Sequence, residues 1–209
     1  MTVPEDILIH LVDDDAAFRR SLVFLLESMG WTVASHASAE AFLAAATDPA
    51  QAACLVLDIR MPTMSGLELQ QVLRQRGWQT PIVFITGHGD VELAVQAMKH
   101  GACDFLEKPF KDQALIDAVG RAVKLGCAAR EQMARCAEAK ALLDRLSPRE
   151  LEVARLVALG LPNKLVGREL DISEKTVHVH RHHVMEKTGV GSAAELARLM
   201  LRADPAALD

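Results

Sequence analysis

Asp13, Asp14 and Asp58 supply carboxylates, Thr86 a hydroxyl and Lys108 an ammonium, and each stands at the end of a short apolar, β-branched run. The runs are Ile7 to Val12, Cys54 to Leu57, Pro81 to Ile85 and Asp104 to Leu106, with helix-length amphipathic segments between them. That alternation reads as buried strands of a parallel sheet, and such a sheet keeps its chemistry at the carboxyl ends of its strands. The five side chains are therefore expected in one pocket. Crowded carboxylates repel one another and call for a hard cation, and Mg2+ takes a few carboxylates together with waters and phosphate oxygens. Lys108 can place its charge on phosphoryl oxygens, Thr86 can donate a hydrogen bond to one, and Asp58 is positioned as the nucleophile that forms an acyl phosphate. A lone aspartate after a strand is more often a helix N-cap, which is the reading for Asp15 and Asp90. Capping does not explain an ordered set of five.

A chain of 209 residues, half of them hydrophobic, can build two ordinary domains. No apolar run approaches the roughly 20 residues of a membrane span, and the N-terminus has no basic region followed by an apolar core. A soluble, cytoplasmic protein without membrane contact is expected. Cys54, Cys103, Cys127 and Cys136 have neither metal spacing nor a disulfide framework; the first two read as small buried hydrophobes, the last two as more exposed. Residues 1–124 carry ten Lys and Arg against sixteen Asp and Glu, and residues 125–209 carry thirteen against twelve. The second part is not basic in bulk, so nucleic-acid binding there must rest on where its charges fall.

Asp112 to Leu143 contains no proline and is rich in Ala, Arg, Glu and Lys, which predicts one long helix joining the two parts. Leu115, Val119, Ala122, Gly126, Ala129, Met133, Cys136 and Leu143 recur at steps near four and three, broken at Lys140. They form either a thin coiled-coil seam or the buried face of a connector helix. Beyond it, Ser147-Pro148-Arg149-Glu150 combines a hydroxyl cap, a proline at the first helical position and a glutamate at the third, and Ser192-Ala193-Ala194-Glu195 repeats the capping box. Gly160 and Gly189 close helices, Asn163 to Leu170 is short and helical, and Asp171-Ile172-Ser173 is a turn before a helix from Glu174 to about Lys187. Four helices with a tight turn before the third describe a helix-turn-helix.

Residues 7 to about 124 resemble the receiver domain of two-component response regulators. The match lies in Leu11-Val12-Asp13-Asp14-Asp15, Leu57-Asp58-Ile59-Arg60-Met61-Pro62, Ile85-Thr86-Gly87-His88-Gly89 and Gly101-Ala102-Cys103-Asp104-Phe105-Leu106-Glu107-Lys108-Pro109. The stretch from about Leu146 to Leu201 resembles the LuxR-type DNA-binding domain, through Leu146-Ser147-Pro148-Arg149-Glu150-Leu151-Glu152-Val153, Gly160-Leu161-Pro162-Asn163-Lys164 and Asp171-Ile172-Ser173-Glu174-Lys175-Thr176-Val177-His178-Val179-His180-Arg181. Together they resemble the FixJ/NarL family of response regulators, nearest its FixJ branch.

The resemblance implies an α/β flavodoxin-like receiver with a five-stranded parallel sheet over 1–124, a helical linker over 125–144 and an all-α, four-helix DNA-binding domain over 145–209. It implies a sensor histidine kinase that phosphorylates Asp58, and Mg2+ held by Asp13, Asp14, Asp58 and the backbone carbonyl of Arg60. Thr86 and Phe105 would move on phosphorylation, and a cis peptide would precede Pro109. His178, Val179 and His182 would meet base edges in promoter DNA, while Lys175, Thr176, Arg181 and Lys187 would meet phosphates. Phosphorylation would drive homodimerisation, and the family resemblance favours activation, with RNA polymerase as a partner.

His178 and His182 also have the helical spacing of a metal chelate, but the rest of a ligand set is missing. A haloacid-dehalogenase-type phosphatase would use a similar pocket, yet it needs a second aspartate two residues after the nucleophile, and Arg60 stands there. The acyl phosphate is expected to persist, with only slow self-hydrolysis timed by Arg60 and His88. A constitutive DNA-binding protein with a merely dimerising receiver is the other alternative, and the intact Asp58, Thr86 and Lys108 speak against it.

Overall fold

The structure, a computed structural model, describes residues 7–46, 52–87 and 91–208. The chain divides into two compact units, Met1–Arg130 and Glu131–Asp209. In the first, β1 (Leu8–Val12), β2 (Thr32–His36), β3 (Ala52–Asp58), β4 (Ile82–Thr86) and β5 (Asp104–Glu107) form a parallel sheet of order β2-β1-β3-β4-β5. The crossovers are α1 (Ala16–Glu27), α2 (Ala39–Ala45), α3 (Gly66–Gln75) and α4 (Val91–Lys99), followed by α5 (Asp112–Leu143). The order reverses between β1 and β3, and an open α/β sheet offers a crevice for ligands at the carboxyl side of such a switch point. Asp13 and Asp58 stand on either side of it.

Every residue of β3 and β4 is buried, which is why these strands read as unbroken apolar runs. Their side chains alternate between two cores. One contains Val56, Val83 and Ile85 with Leu22 and Leu26 of α1 and Leu115, Val119 and Ala122 of α5. The other contains Leu55, Leu57 and Phe84 with Phe42 of α2, Leu69 and Leu73 of α3 and Ala97 of α4. Of the two readings of the α5 stripe, the packed face of a connector helix accounts for most of it: Leu115, Val119, Ala122 and Gly126 are buried in the first unit, and Leu143 packs in the second. Met133 remains exposed.

The second unit holds the end of α5, α6 (Pro148–Ala158), α7 (Asn163–Glu169), α8 (Glu174–Thr188) and α9 (Ala193–Ala203). Val153, Val157, Val166, Val177, Val184, Leu196 and Met200 form its core, and Ala139 of α5 packs against Leu199 and Ala203 of α9. The α7–α8 turn presses on Gly167, where an added Cβ would lie 2.7 Å from the Ile172 carbonyl oxygen. Ser147 and Glu150 make the reciprocal capping box, with Pro148 at the helix start. The second box is only half made: Ser192 caps the Glu195 N–H, but the Glu195 carboxylate accepts from the Gly191 N–H.

Candidate functional site

Asp13 follows the last residue of β1, Asp58 ends β3, Thr86 ends β4 and Lys108 follows β5, so the sheet brings the expected set to one end. Asp13, Asp58 and Thr86 are buried, while Asp14 is exposed. One carboxylate oxygen from each of Asp13, Asp14 and Asp58 lies within 4.8 Å of the others. The Lys108 ammonium is 2.6 Å from Asp58 Oδ2 and 3.0 Å from Asp13 Oδ2. Asp58 Oδ1 accepts from the Arg60 N–H at 2.9 Å, and Asp13 Oδ1 from the Asp15 N–H at 2.8 Å. Backbone amides thereby fix both carboxylates. Lys108 is fixed too: its N–H donates to the Thr86 carbonyl at 2.7 Å, and its ammonium lies 4.1 Å from the Phe18 ring centroid. The Lys108–Pro109 peptide is cis.

The loop after β3 has little freedom. Gly66 starts α3 directly beneath it and donates to the Ile59 carbonyl, and a Cβ there would lie 2.3 Å from the Asp58 carbonyl oxygen. Thr63 accepts a positive φ of 69° in the same loop. Asp15 caps α1 through the Ala17 and Phe18 amides, as expected of it. Asp90 and His88 lie outside the described residues. Phe105 is partly buried against the core that holds Leu57 and Phe84.

The electrostatics suit a cation. Burial and the neighbouring charge of Asp58 push the Asp13 carboxyl above its ordinary value, although Lys108 opposes them. Burial alone would lower the Lys108 ammonium, but its hydrogen bonds and attraction to Asp58 and Asp13 outweigh that and raise it. A site in which burial works against the ionised form of Asp13, and whose donors are all hard oxygens, fits Mg2+ better than a soft metal. Among the described residues no other group of three or more metal-ligating side chains gathers this closely.

Residues outside the predicted set complete the picture. His10 and His36 form a buried pair, Nδ1 to Nε2 at 3.0 Å, edge-on to Phe42. Burial, helped by the His36 charge, holds His10 down to about 4, and burial also lowers His36. Only the pairing of β1 with β2 could have revealed them, and β2 is an edge strand without an apolar run. The Phe18 contact likewise depends on which face α1 turns to the pocket.

In the second unit, Ser173 caps α8 by accepting from the Thr176 N–H, and its hydroxyl also bonds the Thr176 hydroxyl at 2.8 Å. Val177 and Val184 face the core, as their spacing requires. Lys175, His178, Val179 and His182 are exposed. Besides Thr176, the two basic residues Arg181 and Lys187 among the expected phosphate contacts have protein partners. Arg181 donates to Asn163 Oδ1 at 3.2 Å, and the Lys187 ammonium lies 2.7 Å from Glu150 Oε2. Glu150 is buried and also accepts from the Ser147 N–H, while His183 approaches it at 3.6 Å. The hydrogen bond from Lys187 comes first among the causes that hold the Glu150 carboxyl down to about 2. Sequence identifies Glu150 as a cap; its role as the counter-ion of Lys187 is tertiary.

A strand-end acidic pocket on a five-stranded parallel sheet, in one chain with a helix-turn-helix, defines a response regulator that acts on DNA. The response regulator receiver domain family matches residues 9–120, and the family of bacterial regulatory proteins called luxR matches residues 144–200. The chain belongs to the FixJ-like response regulators, transcriptional regulators that join a receiver to a LuxR-type DNA-binding domain. It is 47% identical to the transcriptional regulatory protein FixJ of Azorhizobium caulinodans, over 99% of this chain and 98% of that one. It is 45% identical to the response regulator protein TmoT of Ectopseudomonas mendocina, over 95% and 90%. Among solved structures, the response regulator StyR covers 93% of the chain, and 98% of StyR is covered, at 44% identity and a TM-score of 0.84. Full-length FixJ from B. japonicum covers 94%, and 96% of it is covered, at 44% identity and a TM-score of 0.55. Membership brings a kinase and DNA as partners. No helix among the described residues is long and apolar enough to cross a membrane.

Proposed function

We propose that Asp58 is the phosphoacceptor and that its acyl phosphate is a stored signal. The observation that carries this reading is the Asp58 carboxylate, held by the Arg60 amide on one oxygen and by Lys108 on the other, with Asp13 and Asp14 beside it. A carboxylate oxygen of Asp58 attacks the phosphorus of a phosphohistidine on the kinase; the P–N bond breaks, and the imidazole leaves with the electron pair and takes up a proton. Asp13, Asp14, Asp58 and the Arg60 carbonyl would hold Mg2+, which supplies positive charge for the phosphoryl oxygens when bound. Lys108 then pairs with the phosphoryl group, and the Thr86 hydroxyl donates to it. Arg60 occupies the place where a phosphatase would need its general acid, which supports slow autodephosphorylation and no turnover of a substrate.

Thr86 and Phe105 couple the pocket to the face built from α4, β5 and the first turns of α5, where Val95 and Met98 are exposed. This face dimerises when Asp58 is phosphorylated, and two helix-turn-helix modules then engage two half-sites. His178, Val179 and His182 read bases, and Lys175, Thr176 and Arg181 meet phosphates; Lys187, already neutralised by Glu150, leaves that set. The bound dimer activates transcription in the cytoplasm by engaging RNA polymerase. Light scattering with and without a small phosphoryl donor tests the switch: a donor-dependent dimer that Asp58→Asn abolishes is expected, and a monomer in both states rejects it.

A further inference from the structure

We propose that Asn163 is a positioning residue for DNA binding: its amide holds the Arg181 guanidinium, and the two side chains together clamp one backbone phosphate. The proposal rests on α8 as the DNA-reading helix and on Arg181 as a phosphate contact. Asn163 is the first residue of α7, and the N-cap before it, Pro162, makes no side-chain capping bond. The Asn163 side chain turns instead to the next helix, where Oδ1 accepts from Arg181 Nη1 at 3.2 Å. Among the described residues neither side chain has a further hydrogen-bond partner, and no carboxylate pairs with Arg181.

The choice of residue types matters. An aspartate at position 163 would hold the guanidinium more strongly but would neutralise it. The amide holds it without cancelling its charge, and it leaves the Nδ2 hydrogens and the remaining guanidinium N–H groups as donors. Several donors of one sign with no anion between them suit a tetrahedral phosphate oxygen pair. Preorganisation adds to the effect, because an arginine already held in place loses less freedom when it docks. Both side chains are half-buried, unlike the exposed Lys175, and the close α7–α8 approach that brings them together depends on Gly167. A phosphate clamp acts on any sequence, so it should set affinity and register without changing base preference.

Fluorescence anisotropy of the full-length protein with a labelled mixed-sequence DNA duplex, between about 50 and 200 mM salt, tests the proposal. Asn163→Ala should reduce the slope of log affinity against log salt by about 1, as Arg181→Ala does, and weaken binding roughly two- to tenfold. The double variant should be no worse than the weaker single one. Unfolding of the DNA-binding unit should be unchanged in Asn163→Ala, because a merely structural role would shift the melt and leave the salt slope alone. A full slope in Asn163→Ala beside a reduced one in Arg181→Ala overturns the clamp and keeps Arg181 as a phosphate contact. A full slope in both overturns that contact and the clamp with it. If Asn163→Ala melts early, Asn163→Ser decides, since its hydroxyl keeps a polar side chain at the start of α7 but is too short to hold the Arg181 guanidinium and adds no charge: a reduced slope supports the clamp, and a full slope overturns it.

Discussion

Replacing Glu150 with glutamine removes one negative charge from the place where α6 and α8 meet, and it should cost the DNA-binding unit about 1–2 kcal/mol. A carboxyl carried from the ordinary 4.5 to about 2 sets a ceiling of about 3 kcal/mol. The ceiling is not reached, because the Lys187 side chain keeps 39% of its exposure and water screens the pair. Glutamine can still accept from the Ser147 N–H, so the helix cap survives and the loss isolates the charge. The folded value of Glu150 is depressed, so its stabilisation is complete above about 4.5 and disappears as pH falls toward 2. Urea unfolding followed by circular dichroism at pH 7 and near pH 3 should therefore show a wild-type advantage that shrinks with acid. In a thermal melt the advantage at neutral pH corresponds to a shift of roughly 4–8 °C per kcal/mol for a unit of this size. Equal stability of the two proteins at pH 7, or an advantage that persists undiminished in acid, would refute the ion-pair reasoning.

Gly66→Ala places a methyl 2.3 Å from the Asp58 carbonyl oxygen; a loss of about 1–3 kcal/mol in receiver stability, with slower phosphorylation, is expected from unfolding and radiolabel assays. His10→Phe should flatten the acid limb of receiver stability, because a histidine held down to about 4 contributes stability that is lost as pH falls from 6.5 through 4; a parallel limb in wild type and variant contradicts this. Thr86→Ala should still accept a phosphoryl group but lose the donor-dependent dimer, which light scattering of the labelled protein would detect.

The strand-end pocket was legible because alternation of buried strands with amphipathic segments is local, and because β3 and β4 are buried over their whole length. β2 was not, since the edge residues Thr32 to His36 are mostly polar or small and only His36 is buried. The heptad-like spacing on α5 was legible as periodicity but not as destination: Leu115, Val119 and Ala122 face their own unit's core, and a core stripe has the same spacing as a dimer seam. Ser147, Ser173 and Gly189 announced helix ends because capping acts within a few residues. Lys187 with Glu150, and Arg181 with Asn163, join residues from different helices. A basic residue on a recognition helix therefore reads as a phosphate contact until the fold supplies its partner.

Phosphorylation and DNA affinity measured together on wild type and Asp58→Asn test the central claim most directly. With a phosphoryl donor and Mg2+, wild type should take up one acid-stable, base-labile phosphoryl group and bind target DNA more tightly, while Asp58→Asn should do neither. Uptake of label by Asp58→Asn, or the same gain in DNA affinity in both proteins, would contradict the assignment of Asp58 as the residue that stores the signal.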